Sequence, residues 1–194
     1  MTRSSKRLIL ASNSPRRQEL LKGLDLEFTI DTRNNFREDM NLDVSAEQIP
    51  LIMAQGKSHG FHRELEEDEV LITSDTVVIV PEKHSVLGKP HSREEAVEML
   101  RLLSGRTHKV VTAVTIRDSR SEESFSDETL VTFEQLSDAE IDYYLDKYRP
   151  YDKAGAYGVQ EWIGYVAISR LEGSFYNVMG FPVHRVYREL RKFL

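Results

Sequence analysis

Apolar residues in this chain come in short blocks separated by polar turns, and the spacing inside each block predicts its element. Leu8-Ile-Leu-Ala11 has the length of a buried strand. Ser12-Asn-Ser14 follows as a polar turn, with Ser14 as a helix N-cap and Pro15 suited to the first helical position. Leu20, Leu21 and Leu24 then share one helical face, and weak alternation from Leu26 to Ile30 suggests a second strand. Asp31 to Asp43 is polar and reads as a surface loop whose carboxylates could still reach a neighbouring site. Ser45-Ala-Glu-Gln48 has the form of a capping box, but Pro50 would break a helix begun there. The helix is therefore placed from about Ile49, with Ile52 and Met53 on its apolar face and Lys57 a turn later. Val70 to Val80 is the most apolar run, and its β-branched content predicts a buried strand or a strand pair.

Pro81 to Ser85 reads as a turn and Leu87-Gly-Lys-Pro90 as a loop. A capping box at Ser92-Arg-Glu-Glu95 opens a helix that turns Ala96, Met99, Leu100 and Leu103 inward and stops at Gly105. His108–Ile116 and Phe125–Phe133 alternate around a polar connection, which predicts a long antiparallel pair. Ser137-Asp-Ala-Glu140 caps a helix carrying Ile141, Tyr144, Leu145 and Tyr148, which ends at Pro150. Ile163 to Leu171 reads as a strand, and Pro182 opens a last helix with Val186, Tyr187 and Leu190. There is no internal repeat or linker. The length suits one domain over residues 1–194, in one body or two lobes.

Composition narrows the function classes. The 194 residues are 40% hydrophobic and 30% charged, ordinary for a soluble globular domain with its own core. A net charge of −6 argues against a nucleic-acid-polymer partner and requires any anionic ligand to be held by a local basic cluster. With no cysteine there are no disulfides, thiolate metal sites or thiol chemistry. No apolar run has the length of a signal peptide or a membrane span, so a cytoplasmic protein without a membrane partner is expected.

Four places could carry chemistry. The strand–turn–helix at residues 8–24 puts Arg16 and Arg17 at a helix N-terminus, which suits a phosphate chain; an ordinary turn with solvated arginines fits the spacing equally. Asp75 interrupts the most apolar strand, where a carboxylate must be paired, hydrogen-bonded or metal-bound, or else cap a neighbouring turn. Lys89 stands between Gly88 and Pro90, as a rigidly presented phosphate lysine or a plain turn lysine would. Asp152 to Gln160 combines small residues with charge and an amide, which lets backbone approach a ligand. His108 has no evident partner and reads as structural.

Taken in order, the motifs resemble the Maf family of nucleoside triphosphate pyrophosphatases. The resemblance runs through Ala11-Ser-Asn-Ser-Pro-Arg-Arg-Gln-Glu-Leu-Leu21, Ala54-Gln-Gly-Lys57, Ser74-Asp-Thr76, Gly88-Lys-Pro90, Leu103-Ser-Gly-Arg-Thr-His108 and Asp152-Lys-Ala-Gly-Ala-Tyr-Gly158. It ends with Gly173-Ser and Asn177-Val-Met-Gly-Phe-Pro182, so it covers essentially the whole chain. The resemblance implies an inosine-triphosphatase-like mixed α/β (α+β) fold: a long curved mixed sheet with flanking helices and two lobes around a cleft. It implies hydrolysis of a nucleotide between the α- and β-phosphates with Mg²⁺ or Mn²⁺, and a homodimer.

Residue by residue, it implies that Ser14, Arg17, Lys57 and Lys89 bind the triphosphate. Asp75 is the general base or a metal ligand, with Glu38 as a further metal ligand. Arg16, Thr76 and Gln160 match the branch that acts on dTTP and UTP and would set base preference. The branch acting on 7-methyl-GTP carries tryptophan, glutamine and glutamate at those places. Three departures stand out. Asn35-Phe-Arg-Glu38 replaces a Val-Asp-Glu-like run, so Glu38 matches only with a one-residue shift; Gly56 stands where glutamate is common; and Ser58 replaces a frequent alanine. The alternatives are another nucleotide preference, such as 7-methyl-GTP, or a nucleotide-binding regulator of septum formation without turnover.

Overall fold

The structure is a computed structural model, and it describes residues 6–38, 43–83 and 85–194. Residues 39–42 of the polar stretch and residue 84 of the turn after the apolar strand lie outside the described residues, as do residues 1–5. Seven strands form one mixed sheet: β1 (Arg7–Leu10), β2 (Phe28–Ile30), β3 (Glu69–Val80), β4 (Ser85–Leu87), β5 (Thr107–Arg117), β6 (Glu122–Phe133) and β7 (Ile168–Glu172). Their order is β2-β1-β3-β5-β6-β7, with β4 paired to β3. β1 runs parallel to both β2 and β3, whereas β3–β4 and β6–β7 are antiparallel. The helices are α1 (Pro15–Lys22), α2 (Ile49–His59), α3 (Arg93–Leu103), α4 (Asp138–Tyr148), α5 (Trp162–Ala167), α6 (Phe175–Val178) and α7 (Val183–Leu190).

The chain divides into two compact units. The first comprises Met1–Asp75, Thr112–Asp127 and Gly180–Leu194; the second comprises Thr76–Val111 and Glu128–Met179. In the first unit, β1 and β3 pair with Leu8 opposite Val70 and Leu10 opposite Ile72. These even-numbered residues pack with Leu21 of α1 and with Val186 and Leu190 of α7. The odd-numbered Ile9 and Leu71 pack with Phe61 and Leu65. Because side chains alternate along a strand and both faces are covered, the sequence there is continuously apolar. The second unit has its own core, in which Val78 and Val80 of β3 join Leu100 and Leu103 of α3, Phe133 of β6, Ile141 and Tyr144 of α4, and Ile163 of α5.

Local signals explain most boundaries. Ser45 donates its N–H to the Gln48 side chain at 3.2 Å, but on a single 3₁₀ turn, and α2 starts at Ile49 with Pro50 in its first turn. Ser92 and Ser137 accept the N–H groups of Glu95 and Glu140 as helix caps. Ser14 occupies the N-cap position of α1 with extended backbone, yet its hydroxyl makes no capping bond.

The expected strand Ile163–Leu171 is corrected. Trp162–Ala167 is helical, and only Ile168–Glu172 joins the sheet, against β6. A turn begins at once, with the Gly164 N–H donating to the Glu161 carbonyl at 2.9 Å, and the apolar Tyr165 and Val166 are exposed. β4 was absent from the sequence reading, because three residues are too few to show a period of two.

Candidate active site

Asp75 and its neighbour Thr76 are the two positions of β3 that are not fully buried. The carboxylate of Asp75 is paired: Lys57 Nζ donates to its Oδ1 at 2.6 Å, and the same ammonium lies 2.9 Å from Glu38 Oε1. The placement follows from two periodicities. Thr73 and Asp75 lie two apart on one strand face, and Ala54 and Lys57 lie three apart on one helix face. The Thr73 hydroxyl donates to the Ala54 carbonyl at 2.7 Å, which brings Lys57 to Asp75. Arg117, at the end of β5, clamps the far end of α2 by donating to Ser58 Oγ at 3.1 Å and to the Ser58 carbonyl at 2.8 Å. Alanine at position 58 would keep the carbonyl bond and lose the hydroxyl one.

The start of the polar stretch is solvent-exposed, as a surface loop should be, yet docked on α2. Asn34 donates through its side chain to the Lys57 carbonyl at 2.6 Å, and the Asn35 N–H donates to the Gly60 carbonyl at 2.8 Å. The Phe36 ring lies on Gly56 so closely that an added Cβ there would sit 2.3 Å from it. The two departures at 35–38 and 56 therefore meet in one contact. The missing side chain on α2 accepts the phenyl ring of the altered loop, and Glu38 ends beside Lys57.

Arg17 completes the first unit's cluster. Its Nε donates to the Gly180 carbonyl at 2.9 Å and its Nη1 to the Ser74 carbonyl at 3.0 Å. Burial lowers its pKa from the ordinary arginine value; the charges of Asp75 and Glu38 oppose that shift, while Arg16 adds to it. Arg17, Asp75 and Glu38 thus share one electrostatic neighbourhood, with Arg16 at its edge. Ser14 is at the start of the same helix, where the Ser12 hydroxyl accepts its N–H at 3.2 Å.

The remaining sequence candidates lie in the second unit. Thr76 continues β3, half-buried. Lys89 is exposed on its turn, and the Gly88 carbonyl before it accepts the Gly155 N–H at 2.9 Å. That bond joins the Lys89 turn to the glycine-rich segment ending at Gln160, whose amide oxygen is buried without a hydrogen-bond partner. His108 does have a partner, the Tyr157 hydroxyl at 2.7 Å, and burial lowers its pKa to about 3, so the imidazole is neutral and structural. Sequence reasoning missed Glu161, which pairs with the buried Lys153 at 3.1 Å, and missed Thr73, Asn34, Phe36 and Arg117. Their contacts are long-range, and no local spacing marks them.

For a divalent metal, the donor chemistry fits. Glu38 and Asp75 each direct a carboxylate oxygen at one cationic point, held here by the Lys57 ammonium. Mg²⁺ and Mn²⁺ favour such hard oxygens and commonly take one or two protein carboxylates, with substrate phosphates and water for the rest. Among the described residues no group of three or more His, Asp or Glu side chains forms a cage of protein ligands alone.

Residues 7–193 match the family profile described as Maf-like protein. A curated relative from Porphyromonas gingivalis, a dTTP/UTP pyrophosphatase, is 53% identical over 189 residues, 96% of this chain and 94% of the relative. A dTTP/UTP pyrophosphatase from Parabacteroides distasonis is 47% identical over 187 residues, 96% of each chain. Among solved structures, the Staphylococcus aureus Ham1 protein aligns with a TM-score of 0.45 at 13% identity, over 66% of this chain and 72% of that one.

Proposed function

The chain belongs to the Maf family, and from that premise we propose that it hydrolyses dTTP and UTP to the nucleoside monophosphate and pyrophosphate. The observation that carries the chemistry is the Glu38–Lys57–Asp75 array: a carboxylate inside an apolar strand, held by a lysine that a second carboxylate also engages.

Lys57 occupies Oδ1 of Asp75, and we assign the other oxygen, Oδ2, to the attacking water. The water oxygen bonds to phosphorus, its proton passes to Asp75, and the α–β bridging bond breaks, its electron pair leaving with the departing group. Arg17 and Lys57, with Ser14 and Lys89, bind the phosphates and offset the charge that builds on them. Arg17 is suited to this because two backbone carbonyls already fix its guanidinium. Asp75 and Glu38 would hold a Mg²⁺ or Mn²⁺ ion in place of the Lys57 ammonium, leaving Lys57 to the phosphates; such an ion would neutralise phosphate charge and acidify water. Arg16, Thr76 and Gln160 set the base preference.

The test is a panel of nucleoside triphosphates that includes dTTP, UTP, CTP and 7-methyl-GTP, with Mg²⁺ or Mn²⁺, scored for pyrophosphate against orthophosphate. Pyrophosphate from dTTP and UTP before the others is expected. Pyrophosphate mainly from 7-methyl-GTP would move the chain to another preference, and release from none would favour a regulator without turnover. Among the described residues no helix is long and apolar enough to cross a membrane, in keeping with a cytoplasmic enzyme. A homodimer belongs to the same reading and is checked by sedimentation velocity.

A further inference from the structure

Gln160 is exceptional among the second unit's candidates, because its buried amide oxygen lacks a partner. An acceptor left in that state is destabilising, a cost that a ligand's donor would remove. The residues on either side of it are tied to one phenol. Tyr144, buried on α4, donates its hydroxyl proton to Glu161 Oε2 and accepts the Gly158 N–H at 3.0 Å. The other oxygen of Glu161 pairs with Lys153 Nζ at 3.1 Å, and Lys153 also reaches Asp152 at 2.8 Å. The packing is close: a Cβ added at Gly158 would lie 2.9 Å from Glu161 Cδ and 3.1 Å from Lys153 Cε. Burial, reinforced by the Glu161 carboxylate, pushes the Tyr144 pKa far above the ordinary phenol value. The proton therefore stays on Tyr144, and the direction of each hydrogen bond is fixed.

We propose that Tyr144, Glu161 and Lys153 are positioning residues that hold the backbone carrying Gln160, so that its amide oxygen is presented to the imide N–H of a uracil-type base. The proposal rests on the dTTP/UTP reading and extends it to residues that touch no substrate. The chemistry requires a held amide. Uracil and thymine present an N3–H donor between two carbonyl acceptors, whereas cytosine presents an N3 acceptor beside an amino donor. An amide free to rotate by half a turn exchanges its oxygen and nitrogen and satisfies either base. Fixing the backbone that carries Gln160 narrows the poses its amide can take, and a base that does not match them leaves buried groups unpaired.

The test compares Tyr144→Phe and Glu161→Gln with the wild-type enzyme, measuring kcat and KM separately for dTTP, UTP and CTP. The preference for dTTP and UTP over CTP should fall about tenfold, with the loss on KM rather than kcat. Tyr144→Phe should change that ratio little when Gln160 is already alanine, since the network acts through Gln160. A lowered Tm with an unchanged ratio, or equal losses on every nucleotide, would overturn the proposal and leave the network structural. If Tyr144→Phe does not fold, Glu161→Gln and Lys153→Met carry the same test without emptying space in the core. A wild-type enzyme without the preference overturns the substrate reading and this proposal together, whereas a preference that survives all the variants overturns the proposal alone.

Discussion

The two units place their candidate residues by different means. In the first, the side chains hold one another: Lys57 bridges Asp75 and Glu38, and Arg17 is fixed by the carbonyls of Ser74 and Gly180. In the second, Lys89 and Gln160 stand on turns, and the bonds that fix them are made by other groups: Gly155 to Gly88, Tyr144 to Gly158, Lys153 to Glu161. A cluster of opposed charges suits a phosphate chain, which is the same in every nucleoside triphosphate. A buried amide oxygen on a supported loop suits a base edge, which is not. The first unit should therefore govern rate and, apart from the phosphate lysine Lys89, the second choice.

Asp75→Asn is the strongest test of that division. It keeps the shape and a hydrogen-bond acceptor for Lys57 while removing the charge. Hydrolysis should fall about 10²–10⁴-fold on every nucleotide, measured as pyrophosphate release by protein whose circular dichroism and Tm show that it has folded. Retained dTTP hydrolysis at the wild-type rate would remove Asp75 from the chemistry.

A matched pair of variants sharpens the comparison. Arg17→Ala should lower kcat/KM about 10²–10³-fold on all nucleotides alike, as loss of a fixed donor to developing phosphate charge does. Gln160→Ala should cost only about 10–100-fold, and only on the preferred bases. Arg16 is where the division could break. It lies in the first unit beside Arg17, yet it is assigned to base preference, so substitutions there should shift the ratio between nucleotides. Equal losses on each would make it a second phosphate arginine.

How far these arrangements could be read from sequence depends on how local their causes are. The strand–turn–helix at residues 8–24, the capped starts of α3 and α4, and the delayed start of α2 follow from spacing within a few residues. Asp75 was legible as a charge in need of a partner, because its apolar neighbours are contiguous with it. Its partner was not, since periodicity alone leaves Lys57 an ordinary helix lysine until Thr73 docks on Ala54. The helix at Trp162–Ala167 was misread because an apolar run of that length suits either element, and exposure of Tyr165 and Val166 is decided only on folding. Tyr144 looked like one member of an aromatic stripe, and its role under Gln160 comes from contacts 14 and 17 residues away.

Gly56 tests a place where the first unit depends on packing rather than charge. Gly56→Ala would set a methyl group against the Phe36 ring, 2.3 Å away if nothing moved. The ring must give way, and about 1–2 kcal/mol of stability should be lost, within the range of overpacking changes. Phe36→Ala in the same chain should relieve the clash, so the double variant should be more stable than the sum of the two losses predicts. Urea denaturation of the four proteins measures the coupling. Strict additivity would mean that the loop and α2 do not support each other.

The last expected effect, small over one pH unit, concerns the support beneath the second unit's loop. His108 is buried, bonded to Tyr157 and held neutral, with its pKa lowered to about 3. In the unfolded chain it titrates near the ordinary value of about 6.5. Below that pH the unfolded state takes up the proton first, so this contribution is complete above about pH 6.5 and is lost progressively as the pH falls toward 3. Between pH 7 and 6 the loss amounts to about 0.7 kcal/mol, and it steepens to a limiting slope of about 1.4 kcal/mol per unit. His108→Gln cannot titrate and should show a shallower fall of stability across pH 7 to 5, whatever its stability at pH 7. Parallel pH profiles for the two proteins would mean that His108 can be protonated within the folded core. The loop bearing Gln160 would then rest on a softer support than its hydrogen bonds indicate.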